Sequence, residues 1–161
     1  IKGIDMLAEL FALTLISQSM KGAAPVNMDA SMLQNCTDST ETPASCINEI
    51  SRMCEEESDD GYTTRGMIAC AGRETAVWDA RLNAAYTGLR EMMQRNGRQD
   101  QMDAIQQVQR LWIQFRDAEC AQRALAYEGG TMGGISHAYC INQVTAVRAI
   151  DLEDQLMNAS L

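Results

Sequence analysis

Apolar residues recur at alternating steps of three and four along one long stretch of the 161-residue chain. Ile68, Ala71, Thr75, Trp78, Leu82, Ala85, Leu89 and Met92 keep this rhythm, with Thr75 the single polar member. A 3.6-residue turn brings such positions onto one stripe, so the spacing predicts a helix over about 64–95. Asn96-Gly97 supplies its stop. Met102, Ile105, Val108, Trp112 and Phe115 form a second seam, predicting a helix over about 100–127 that ends at Glu128-Gly129-Gly130. Ile141, Val144, Val147, Leu152 and Leu156 give apolar area to another over about 135–157. Upstream, Thr42-Pro43 reads as an N-cap followed by the first helical position, opening a short helix over about 43–56. The Gly-, Ser- and Asn-rich residues 21–45 read as a connector.

Short connections between long helices make neighbours antiparallel, so the expected fold is all-α: an antiparallel bundle of three to four main helices. The organisation divides into an apolar segment over 1–30, a cysteine-rich helix and acidic turn over 31–66, and a helical domain over 67–157. Two readings stand for the first segment. The run Leu7 to Ile16 behind Lys2 resembles a residual signal segment, whereas Leu7, Leu10, Phe11 and Leu13 also fit a docking amphipathic helix. The run is too short and too charged for a transmembrane span.

Charge and cysteine content narrow the class. A formal net charge of −9 excludes a nucleic-acid binder, which needs clustered Lys and Arg. It favours encounter with basic partners. Six cysteines without a C-x-x-C pair, and one histidine, fit three disulfides better than a metal site. That places the chain in an oxidising compartment, periplasmic or extracellular, and no cofactor or metal is expected. Cys120 and Cys140 lie level across the GGTMGG turn of an antiparallel hairpin, and a bridge there is worth ~3 kcal/mol in the chain-entropy model. Cys54 and Cys70 flank the acidic turn in the same manner, and Cys36 with Cys46 follows by elimination. The pairing of these four early cysteines stays open at the level of sequence.

The segments WDARLNAAYTGL, LWIQFRDAEC, a Gly-Gly loop and CINQVTAVRAIDL, over about 67–156, resemble the LprI N-terminal family, named for a lysozyme inhibitor. The resemblance rests on Cys70, Asp79, Leu82, Asn83, Tyr86, Trp112, Arg116, Cys120, Cys140, Thr145, Arg148 and Leu152. It implies an exported bacterial envelope protein that binds another protein, with lysozyme inhibition as its activity. The longer cysteine-rich region from Cys36 to Cys54 departs from simpler members. No lipobox is found, which points to a soluble form rather than a lipoprotein.

Asp79, Asn83, Trp112, Arg116, Thr145 and Arg148 place polar groups beside the apolar seams of three helices. They are expected to form a structural network in which Asp79 pairs with Arg116 or Arg148. Glu55, Glu56, Glu57, Asp59 and Asp60 make an acidic run. As a calcium loop it fails, because Met67 stands where the twelfth-position Glu is required. With His137, the run is instead a candidate contact for a basic protein such as lysozyme, or for another envelope protein. A lone His and six oxidised cysteines offer no nucleophile, so no enzyme is expected. The glycine loop over 129–136 is a candidate inhibitory finger. The alternative is an assembly subunit of the envelope with no enzyme target.

Overall fold

The computed structural model describes residues 24–159, and both readings of the apolar run before it concern residues outside that range. Among the described residues five α-helices follow one another: α1 Ala24–Asp38, α2 Glu49–Glu57, α3 Thr64–Arg95, α4 Gln99–Leu125 and α5 Met132–Ala159. A 3-10 turn, Pro43–Cys46, stands between α1 and α2. The architecture is an all-helical bundle with three disulfides. Among the described residues no helix is long and apolar enough to cross a membrane.

Helix α3 has the bounds its apolar rhythm predicts. The Thr63 hydroxyl accepts from the Gly66 amide at 3.0 Å, satisfying one of the orphan donors of the first turn. At the far end Gly97 adopts φ +67°, and the Arg98 amide returns to the Met93 carbonyl at 2.9 Å. The Asn96-Gly97 stop therefore works as a left-handed cap.

The core forms where α3 and α5 lie side by side. Trp78, Leu82, Ala85 and Leu89 from α3 meet Ala146, Ala149 and Leu152 from α5, with Leu33 and Ile50 closing the end. Small residues allow the close approach: a Cβ on Gly88 would stand 2.9 Å from the Leu156 side chain. The bonds Thr75–Asn142 and Arg81–Glu153 advance together along both helices, so α3 and α5 run parallel. Helix α4 runs against both, with Cys120 level with Cys140 and Gln109 level with Arg148.

Each disulfide ties consecutive elements. Cys36–Cys46 joins α1 to the 3-10 turn, Cys54–Cys70 joins α2 to α3, and Cys120–Cys140 joins α4 to α5. Cys120–Cys140 and Cys54–Cys70 are the pairs that hairpin geometry favoured, and Cys36–Cys46 is the pair left by elimination.

Three expectations need correction. The connector over 21–45 is largely helical, because α1 occupies Ala24–Asp38. The helix expected over 43–56 is two pieces: Asn48 sits at φ 77°, a left-handed conformation that interrupts it, and Thr42 makes no side-chain cap. The glycine loop is shorter than expected, since α5 begins at Met132 and takes Gly133, Gly134 and Ser136 into its opening turns. That leaves 126–131 as a compact turn with Gly129 at φ +81°, too short for an inserting finger.

Candidate functional site

The most demanding polar group is one the sequence did not single out. Glu74 is completely buried on α3, and every neighbour that bonds it is a donor. Its Oε1 accepts from the Asn48 amide at 2.6 Å, the Asn142 amide side chain at 2.9 Å and Trp78 Nε1 at 3.0 Å. Its Oε2 accepts from the Ser51 amide at 2.9 Å and the Ser51 hydroxyl at 3.0 Å. The side chain thus takes the amides that open α2 and holds Asn48 in its left-handed turn, with Asn142 anchoring the cluster to α5. Only Trp78, one turn along, gave a sequence signal. Asn48, Ser51 and Asn142 are brought there by the fold. Because the carboxylate's donors are all engaged and Glu74, Ser51, Trp78 and Asn142 are buried, the cluster orders the fold rather than binding a ligand.

A second buried acid, Asp29 on α1, takes a two-pronged bond from Arg73, both at 2.6 Å. That bond raises the Arg73 pKa above its ordinary value, against the opposing effect of burial. About two turns further along α3, Arg81 grips Glu153 through two nitrogens at 2.7 and 2.9 Å and lies over Trp78.

The expected network over Asp79, Asn83, Trp112, Arg116, Thr145 and Arg148 takes a different form. Four of the six, Asp79, Asn83, Trp112 and Arg116, line one surface groove of about 460 Å³ between α3 and α4, with Leu82, Tyr86, Gln109 and Arg110. Asp79 is exposed and held by Asn83 at 2.9 Å. Arg116 stacks over Trp112, 5.2 Å from its ring centre, and pairs with Asp117. Arg148 lies beyond Trp112 in a neighbouring groove, bonded to Gln109 at 3.1 Å and paired with Asp151. Thr145 is buried, and its hydroxyl has no hydrogen-bond partner among the described residues. Asp79 is not paired with Arg116 or Arg148 among these residues: each arginine finds an acid on its own helix first, one or three positions away.

The acidic run is divided in the same way. Glu55 is buried and accepts from the Tyr139 hydroxyl on α5. Glu56 pairs with Arg52, and Asp60 lies 3.5 Å from Arg65. Glu57, Asp59 and His137 are exposed. Burial, and then the bond to Glu55, push the Tyr139 pKa well above the usual phenol value. Gly61 and Gly66 fix the turn: a Cβ on either would stand 2.1 or 2.0 Å from a backbone carbonyl oxygen, of Glu55 or Asp60. Among the described residues no group of His, Cys, Asp and Glu is arranged to hold a metal ion.

The α3–α4 groove combines two aromatic rings, two arginines, one carboxylate and amide side chains on rigid helices. Tyr, Trp and Arg are the residues that dominate protein–protein contacts. Fold and site together define a disulfide-stapled helical module with a built surface groove. The family model described as lysozyme inhibitor LprI matches residues 54–152, more than half of the chain, and the chain belongs to this family. An uncharacterized protein of Rhizobium meliloti (strain 1021) is 24% identical over 149 residues, covering 87% of this chain and 99% of the relative. No solved structure matches. Three disulfides together with membership of this family point to a location outside the reducing cytoplasm.

Proposed function

We propose that this chain is an exported bacterial protein, periplasmic or extracellular, that binds and inhibits a lysozyme-type glycoside hydrolase. The observation that carries the reading is the match to the lysozyme inhibitor family across α3, α4 and α5, the helices that build the α3–α4 groove. Net charge supports it, since −9 steers the chain toward a basic enzyme. In this reading Trp112 and Tyr86 supply contact area, Arg116 stands fixed by its stacking on Trp112, and Asp79 presents the groove's carboxylate. The exposed Glu57 and Asp59 add attraction at longer range.

The test is a turbidity assay of lysozyme on bacterial cell walls, with the oxidised protein added at low and at high salt. Inhibition that weakens with salt is the expected result, because screening reduces attraction between opposite charges. Asp79→Lys is expected to weaken inhibition about tenfold or more while leaving the melting temperature nearly unchanged, since Asp79 is exposed. Absence of inhibition at large molar excess would instead favour the envelope-assembly alternative.

A further inference from the structure

Helix α4 carries two seams, and only one of them faces the bundle. Ile105, Gln109 and Cys120 are its buried residues, with Trp112 half-buried between them. About a quarter-turn or more away runs a second line: Ala104, Val108, Leu111, Phe115, Ala118 and Leu125, with Gln122 at the one polar step. The steps alternate four and three without a break, the heptad spacing of a helix that packs against another helix along its length. All of these residues are exposed, and Val108, Leu111, Phe115 and Leu125 are 49%, 54%, 58% and 66% accessible. The seam is about 32 Å long at 1.5 Å per residue.

Beside it, between α4 and α5, lie two open grooves. One of about 590 Å³ is bordered by Ala104 and Val108, the other of about 530 Å³ by Phe115 and Val147. Ridge and grooves on the same face make the surface complementary to itself.

We infer that this face is a homodimer interface, on which a second copy of the chain lays its own α4 antiparallel. The charge pattern selects that occupant. Gln107, Gln114 and Ala121, which flank the seam, are uncharged. The ions at the groove rim cancel within one copy, Arg148 against Asp151 and Arg123 against Glu119. Two chains of charge −9 therefore meet here without opposing like charges. A basic enzyme gains no attraction from the same strip, so the inference concerns the outer face of α4 and not the α3–α4 groove, which it meets at Trp112. The area also suits it. The large exposed side chains contribute about 100 Å² each, and with the Ala, Gln and Val147 positions a copy offers roughly 600 Å², doubled across a two-fold axis to the size of a specific interface. An antiparallel pairing centred between Leu111 and Phe115 sets these large residues opposite each other.

The test is sedimentation equilibrium of the full oxidised chain over a wide concentration range. A mass approaching twice 17.7 kDa is expected. The dimer should persist in high salt, because its contacts are uncharged. Leu111→Glu with Phe115→Glu should raise the dimer Kd at least ~100-fold while helical circular dichroism is kept. If that double variant loses its helical signal, Leu111→Gln with Phe115→Gln serves for the same reading. A wild-type chain that stays monomeric overturns the inference, and so does one that dimerises only after residues 1–23 are deleted. A dimer indifferent to the substitutions, or one that dissociates in salt, also overturns it. No lysozyme enters this measurement, so its outcome is independent of the inhibition assay.

Discussion

Replacing Glu74 by glutamine keeps the shape of the side chain and turns one acceptor oxygen into a donor. The amide nitrogen does least harm at the Oε2 position, where the Ser51 hydroxyl can rotate to accept from it. The Ser51 backbone amide, 2.9 Å away, cannot turn and is left facing another donor. An orphaned buried donor costs about 1–3 kcal/mol. The three bonds to the remaining oxygen, from Asn48, Trp78 and Asn142, lose their charge assistance at a further ~0.5–1 kcal/mol each. The sum is about 2.5–6 kcal/mol, and at roughly 2–4 °C per kcal/mol for a chain of this size the melting temperature should fall by about 10 °C. The assay is thermal unfolding of the oxidised protein followed by circular dichroism, checked by urea titration. A fall of under about 3 °C, or roughly 1 kcal/mol, would refute the claim that this carboxylate organises the start of α2.

Other perturbations probe separate parts of the fold. Replacing Cys120 and Cys140 together by Ala should cost ~3 kcal/mol, and hydrogen exchange should quicken in α4 more than in α3, because α4 buries few residues of its own. Gly66→Ala should destabilise by at least ~2 kcal/mol in urea titration, since its Cβ would stand 2.0 Å from the Asp60 carbonyl oxygen, whereas Gly72→Ala, with nothing within 4 Å, should be neutral or stabilising. Tyr139→Phe tests the raised phenol. An unfolded tyrosine ionises near pH ~10 while the folded one resists, so its contribution is present below that pH and is lost as pH rises above it. The variant should lose less stability than wild type between neutral and strongly alkaline pH in urea titrations, and equal slopes would exclude this linkage.

The candidate site was partly legible. Asp79, Asn83, Trp112 and Arg116 stood out because polar residues flank apolar seams at helical spacing, and the structure gathers these four at one groove. Their pairing was not legible, because choosing between an acid one turn away and one on another helix depends on side-chain reach. Asp117 and Asp151 hold the two arginines expected beside Asp79. The second seam of α4 is visible in the sequence but runs together with the first: Val108 and Phe115 join Ile105 and Trp112 in one apolar rhythm, because an apolar residue looks the same whether it faces a core or water. Gln109 is polar and buried, which hid the true inward face.

The sequence by itself determined the helical class, the limits of α3 and the Cys120–Cys140 pair. Each rests on local periodicity, caps or short hairpin closure, which act within a few turns of chain. Only the tertiary structure decided that α3 builds the core chiefly with α5 rather than with α4, its neighbour in the chain, that Asn48 breaks the early helix, and that Glu74 lies at the centre. Those outcomes depend on which donors and apolar faces meet across 20 to 90 residues of chain, a competition among burial, bonding and space that no local pattern records.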